Sequence, residues 1–551
     1  LADRIRIRRI LTRFTLGMTL GMTLAIALGW FAPLQATSST GEGGIQAQRL
    51  HEAPHHLLGR KIAIGQVEIG RPGQFGIDKG VPPDDERAPE PAGVFLRDRP
   101  AVSGSHVDAH AHGVASVMVS HHKQRRGVAP EARLYSSATS PDRGGNRQGQ
   151  HCLATQHVAE QNSNDVRAVN FSFGEPLWLD PRSDAVLDGN ALLTLCIDWS
   201  ASHHNTLYVI AGNQGQGGIP IPTDNYNGIN VGSSQAHSGI YDQVDVSSLG
   251  NVFEGVFDRY VGLETNIDGR LLVSLLAPGR DVNLLSQNGE VFPSTGTSFA
   301  SPHVVGTVAL LQEYGDRQLQ DHAPHWSLDA RQHQVMKAVI LNAADKIQDV
   351  GDGRLQGMTR TIGDKQGGNW LTSEAYRNPQ VPVHRDMGTG HLNAYRAYEQ
   401  FRPGQWPARE PVPAIGWDFA RLGANPGQSS GQNTVQDYIL DAPLMANSYV
   451  SATLTWDRQV DLEDRNGDGR YDINEGFRDR GLNDLNLYLM AVDSDDINQA
   501  IAASTSDVDS LEHLFAAVPR QGRYKLRVVY NRQVNEPNQD YAIAWWTVPD
   551  A

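Results

Sequence analysis

The chain has 551 residues, too many for one core, and its ordinary apolar content with 55 glycines fits two or three globular domains and argues against disorder. Its formal charge of −15 disfavours nucleic acid and anionic membrane surfaces as partners. Residues 1–36 run against that balance. Arg4, Arg6, Arg8, Arg9 and Arg13 precede an apolar run from Phe14 to Phe31, and Ala32-Pro33-Leu34-Gln35-Ala36 ends in a small residue. This is the pattern of an export leader, so the expected location is secreted or periplasmic, with no stable membrane insertion after cleavage. An uncleaved anchor is the alternative, because the run is nearly long enough to span a bilayer. A short N-terminal segment, 37–60, follows.

From Lys61 to about Phe401, short apolar strands alternate with helical patterns. Ile62 to Val67, Val166 to Phe171 and Leu207 to Ala211 each end in a polar or glycine-rich turn, and helical stretches such as Val114 to Ser120 and Val335 to Ala344 fall between or beyond them. The alternation predicts an α/β domain over 61–402, a parallel sheet with helices on both faces, whose functional residues gather at the carboxyl ends of the strands. Glu68, Ser172 and Asn213 stand at such ends.

His110 opens a predicted helix whose Val114, Val117 and Met118 form the buried side. The alternating histidines around it, with His121 and His122 beyond, also permit a metal-cluster reading that no second ligand group completes. Cys152 and Cys196 are the only cysteines. An oxidising compartment allows them to pair, and two separate buried thiols are equally compatible with the sequence. Gly296-Thr297-Ser298-Phe299-Ala300-Ser301-Pro302 then delivers a serine to the start of an apolar helix, as a nucleophile is presented. Taken alone, Ser298 is equally a helix cap.

Beyond Arg402 the pattern changes. Arg402-Pro403-Gly404 and Pro407 to Pro413 predict a linker, and period-two runs at Val450 to Trp456, Leu485 to Leu489, Tyr524 to Tyr530 and Tyr541 to Val548 predict an antiparallel β-sandwich or jelly roll over 403–551. Between two of these strands, Asp464, Asn466, Asp468, Asp472 and Glu475 occupy positions 1, 3, 5, 9 and 12 of a loop with Gly469 at position 6, and Arg470 supplies a carbonyl at position 7. That spacing predicts a structural Ca2+ site.

Taken together, four segments resemble the subtilases, the subtilisin-like serine peptidases, over roughly Lys61 to Gln400. The serine turn, His110-Ala111-His112-Gly113, Val169-Asn170-Phe171-Ser172-Phe173-Gly174 and Val209-Ile210-Ala211-Gly212-Asn213 fit the family's blocks in order, and Asn483-Asp484-Leu485 looks like the β-domains that accompany some members. The resemblance implies Ser298 as nucleophile, His110 as base and Asn213 as oxyanion donor. It further implies Ser172, Phe173 and Gly174 pairing with an extended substrate, and Ala211 and Gly212 flooring a side-chain pocket. The family's aspartate is replaced: Gln66-Val67-Glu68-Ile69-Gly70 puts Glu68 in that role, with Asp78 and Asp108 as alternative carboxylates. The implied protein is a secreted, monomeric, calcium-binding serine endopeptidase acting on polypeptides. A catalytically silent protein or glycan binder is the rival reading, and the glutamate is its best support.

Overall fold

The computed structural model describes residues 39–81, 89–122, 125–139, 147–212, 220–237, 240–243, 265–423 and 435–550. The expected leader lies outside these residues, and no described helix is long and apolar enough to cross a membrane.

Strands β1 (Ala63–Glu68), β5 (Val166–Phe171) and β6 (Leu207–Ala211) lie side by side at the centre of a ten-stranded, mainly parallel sheet. Beside β1, on the side away from β5, come β4 (Arg133–Ala138) and then the short β2 (Gly93–Leu96) and β3 (Arg99–Pro100). On the other flank, β7 (Ile229–His237) pairs parallel with β6 and with β9 (Leu275–Pro278), and antiparallel with β8 (Ile240–Gln243), which pairs with β12 (Thr361–Gly363). Every residue of β1 and β5 is buried, as expected of strands covered on both faces.

Alternation along β1 divides the core. Ile62 and Ile64 face a cluster built with helices α1 (Ala109–Val119), α4 (Thr297–Gln320) and α5 (His333–Asn342), whereas Ala63 and Val67 face α2 (Gln148–Ala159) and α3 (Leu192–His204). Gly65 permits the close approach of α2, because a Cβ there would lie 2.4 Å from a Val158 methyl. The expected strands form with boundaries shifted by at most one residue, and the helical stretches expected over Val114 to Ser120 and Val335 to Ala344 form as Ala109–Val119 and His333–Asn342.

Two four-stranded antiparallel sheets follow: β13 (Ile415–Gly423), β22 (Asn538–Trp546), β15 (Tyr449–Trp456) and β20 (Leu511–Ala517) in one, and β14 (Val435–Ile439), β21 (Tyr524–Arg532), β18 (Asp484–Ala491) and β19 (Ala502–Ser504) in the other. Val450, Ala452, Leu454 and Trp456 share one core with Leu485, Leu487, Leu489, Leu526 and Val528 of the facing sheet. The outer face of the first sheet receives α5, where Ser451 Oγ donates to Asn342 Oδ1 at 2.9 Å and Thr455 Oγ1 to the Gln334 carbonyl at 3.0 Å. The segment expected as a linker is itself held down: Val412 is fully buried and its N–H donates to the Ile439 carbonyl.

A buried polar joint also ties the sandwich to the parallel sheet. Arg458 donates through Nε to Asp198 Oδ2 at 3.0 Å and through Nη2 to the Gly189 carbonyl at 2.7 Å. Its guanidinium and that of Arg270 stand over Tyr226, 4.5 and 3.8 Å from the ring centroid. The hairpin of β16 (Gln459–Glu463) and β17 (Gly476–Gly481) carries the acidic loop against α2 and α3, where Tyr471 and Val460 pack with Cys152 and Cys196.

Those two cysteines form a disulfide, which decides between the two sequence readings. With its ends separated by 44 positions in sequence, the bond restricts the unfolded chain, so Cys152→Ser/Cys196→Ser is expected to lose about 2–4 kcal/mol of stability in urea unfolding. An unchanged midpoint with unchanged slope would contradict this.

Candidate active site

Parallel register brings three strand ends together. Val67 lies beside Phe171, and Phe171 beside Ile210, so Glu68, Ser172 and Ala211 sit along one carboxyl edge. Helices α1 and α4 pack against each other above this edge and present His110 and Ser298 from their first turns.

The chain after β1 is stitched to the start of α1. Arg71 N–H donates to the His106 carbonyl at 2.8 Å, and Asp108 N–H returns a bond to the Arg71 carbonyl at 2.9 Å. Gly70 allows this, since a Cβ there would stand 2.3 Å from that of Asp108. Glu68, 2% exposed, consequently lies under His110, with Oε1 at 3.4 Å from Nδ1. That separation is an ion-pair distance, longer than a formed hydrogen bond, and such contacts commonly tighten only around bound substrate. Burial of the ring opposes its charged form, but the Glu68 carboxylate, assisted by Asp108, outweighs it and raises the His110 pKa above its ordinary value.

The two alternative carboxylates are committed elsewhere. Asp108 caps α1 by accepting the Ala111 N–H at 2.9 Å. Asp78 grips Arg71 at 2.7 and 2.9 Å. Burial alone would raise its pKa, yet that guanidinium and the N–H groups of Gln74 and Gly104 bring it down to about 2. His112 is buried in α1, and burial pushes its pKa down to about 4. Among the described residues no group of three His, Cys, Asp or Glu side chains is placed to hold a metal ion.

Ser298 is fixed by a two-way clamp. Its carbonyl would normally accept the N–H of residue 302, but that residue is Pro302 and has none. Ser172 Oγ donates to this carbonyl instead, at 2.8 Å, while Ser298 Oγ donates to the Ser172 carbonyl at 3.1 Å. Ser172 Oγ has two further partners, Asn170 Nδ2 at 2.8 Å and Ser301 Oγ at 3.1 Å, which completes its hydrogen-bonding capacity. The His110 ring lies beside Phe299, centroids 5.4 Å apart, so the imidazole is next to the serine turn. Thr297 Oγ1 donates to the Gly212 carbonyl at 2.8 Å, joining the same turn to the end of β6. Phe173 is buried beside Phe171. Gly174 and Ala211 complete the edge, and Asn213 lies outside the described residues.

Asn170, Ser301 and Thr297 were quoted in the motifs without a role. The usable signal was polarity at buried positions: an asparagine inside an otherwise apolar strand needs a partner.

The acidic loop is the other predicted site. Asp464 accepts the N–H groups of Gly467 and Gly469 at 2.6 and 2.7 Å, and Glu475 accepts those of Arg465 and Asp472 at 2.8 and 2.9 Å. Asn466 Nδ2 donates to Asp468 and Asp472, and Arg470 reaches Glu160 at 2.6 Å. The donors are oxygens suited to a hard cation, but in this arrangement they are laced to the loop's own N–H groups and do not converge as a cage.

Residues 93–359 match the subtilase family of peptidases. His110 and Ser298 fall inside that stretch and Glu68 falls before it. An intracellular serine protease of Paenibacillus polymyxa is 28% identical over 189 residues, 34% of this chain and 48% of that protein, so the chain spans about half the length of the curated relative it matches. Among solved structures, the prenylagaramide maturation protease PagA is 21% identical with a TM-score of 0.38, covering 61% of this chain and 93% of that one. MycP1 from Mycobacterium smegmatis is 16% identical with a TM-score of 0.37, covering 64% and 81%.

Because the carboxylate raises the His110 pKa, Glu68→Gln is expected to move the imidazole titration midpoint to lower pH. NMR titration of the ring reads this without reference to turnover, and a midpoint that stays or rises would contradict the pairing.

Proposed function

We propose that the chain is an exported serine endopeptidase of the subtilase kind that works through Ser298, His110 and Glu68. The observation that carries this is the pairing of a buried Glu68 with a His110 ring that stands beside the serine turn. Rotation of Ser298 about χ1 exchanges the Ser172 carbonyl for the imidazole. His110 Nε2 then takes the hydroxyl proton as Oγ attacks the scissile carbonyl, and returns it to the leaving amine. The Glu68 carboxylate fixes the Nδ1–H tautomer and stabilises the imidazolium. The Ser298 N–H and the Asn213 amide would receive the oxyanion of the tetrahedral intermediate. Water completes the second half by the same proton transfers, releasing the acyl group.

Export is supported by the arginine-rich leader and fits the disulfide, which persists in oxidising compartments. Calcium at 464–475 is proposed on the spacing of the oxygen donors alone. The silent-binder reading has one observation in its favour, the Ser298 hydrogen bond to Ser172 in place of His110.

A fluorophosphonate probe separates the two: labelling of the parent and none of Ser298→Ala supports the peptidase, and an unlabelled parent supports the binder. With casein as substrate, Glu68→Gln is expected to lower kcat by roughly 10³- to 10⁴-fold. Turnover close to the parent's would move the third role to another group. For the loop, about 2 mM calcium added after chelation is expected to recover about 0.6–2 kcal/mol of stability. Superimposable thermal transitions with chelator and with calcium would remove the metal from the proposal.

A further inference from the structure

Immediately after Ser172-Phe173-Gly174, Glu175 turns a carboxylate into the interior. Its backbone is fixed by a reciprocal pair with Ile221, Glu175 N–H to the Ile221 carbonyl at 2.8 Å and Ile221 N–H back at 3.1 Å. Its Oε1 meets His151 Nε2, from the first turn of α2, at 2.6 Å. Both residues are almost fully buried, at 4% and 3% exposure, and each keeps one buried polar atom with no hydrogen-bond partner among the described residues: Glu175 Oε2 and His151 Nδ1.

The chemistry of the two orphan atoms is constrained. Facing a carboxylate oxygen at 2.6 Å, Nε2 carries the proton of that hydrogen bond, and a singly protonated ring then presents a lone pair at Nδ1. In that tautomer both free positions are acceptors, and no buried ring N–H is left without a partner. Phe173 lies against the His151 ring at a tilt of 52° with centroids 4.8 Å apart, and Phe171 stacks on Phe173 at 5.2 Å. Two acceptors, one of them a carboxylate oxygen, beside an aromatic wall fit a group that brings several N–H donors, a positive charge and an apolar stem.

We propose that Glu175, held by His151, determines specificity, and that the cleft selects polypeptides carrying a lysine or arginine side chain at the position bound there. This rests on the peptidase reading and adds its substrate class. The ammonium or guanidinium would donate to Glu175 Oε2 and His151 Nδ1, with its methylene stem along Phe173.

The test is a library of quenched fluorescent peptides with each position varied, read as the ratio of kcat/KM for Lys or Arg over Met. The parent is expected to favour the basic residue at one position by roughly 10- to 100-fold, and Glu175→Gln to bring that ratio close to one, with Glu175→Asp keeping its direction. A flat parent profile, or a preference that survives Glu175→Gln, overturns the inference. If Glu175→Gln does not fold, the parent profile together with His151→Asn decides, a collapse of the ratio being expected and an intact one contrary. Fluorophosphonate labelling in the same preparations separates the two levels: labelled protein with a flat profile defeats only the specificity assignment, whereas unlabelled protein defeats the peptidase reading and this inference with it.

Discussion

A proline six positions into the turn-helix segment that begins at Gly296 removes one backbone N–H, and the arrangement at the candidate site follows from that loss. Pro302 leaves the Ser298 carbonyl without its helical donor, in a place with little access to water, where an unmade hydrogen bond is costly. Ser172 Oγ supplies the bond, and Asn170 and Ser301 saturate that hydroxyl. Helix α4 is thereby locked to the end of β5 at the residue that carries the candidate nucleophile. Thr297 repeats the device one residue earlier, towards β6. The serine turn is thus held against two neighbouring strand ends, at Ser172 and at Gly212.

The same logic places the acid and the base. A carboxylate at 2% exposure needs compensation, and the stitched turn from Gly70 to Asp108 brings an imidazole over it. Substituting glutamate for the aspartate that the family resemblance implies lengthens the side chain by one methylene, yet Glu68 still meets Nδ1 at ion-pair range. On the opposite face of the sheet, the disulfide and the β16–β17 hairpin hold α2, whose first turn carries His151 beside Phe173. Tyr471 adds a reciprocal pair with Gln156 of α2, at 2.7 and 3.3 Å, so the acidic hairpin braces the helix that carries His151.

Much of this was legible in the residues. Short runs rich in apolar and β-branched residues and bounded by turns, such as Val166 to Phe171 with only Arg167 and Asn170 polar, identify strands buried on both faces, and the period-two pattern at Val450 to Trp456 identifies one wall of the sandwich. Glu68, His110 and Ser298 stand out as candidates because the resemblance to the subtilases implies their roles, and their places at the end of a strand or the start of a helix agree with it. The disulfide was undecided because pairing depends on how α2 and α3 pack, which no local pattern encodes. The joint of Arg458, Asp198 and Tyr226 was invisible for the same reason: its members are far apart in sequence and each alone reads as a surface residue. In the acidic loop the spacing of the oxygen donors is read from the sequence, whereas their hydrogen bonds to the loop's own N–H groups come only from the fold.

The N-terminal segment carries a consequence for maturation. Ile45, Ala47, Leu50 and Leu57 are fully buried in the cluster that also holds α4 and α5. The Ile45 carbonyl accepts the N–H of Ala394, at the start of the helix Ala394–Phe401, and the Gly43 carbonyl accepts Tyr241 Oη at 3.0 Å. Arg360 hydrogen-bonds the Gly44 carbonyl between them. Cutting these residues away would expose four core side chains and leave a buried guanidinium short of an acceptor, a loss of the order of the whole stability of a typical domain. Residues 43–57 are therefore part of the folded α/β body, and any segment removed after folding has to end before them.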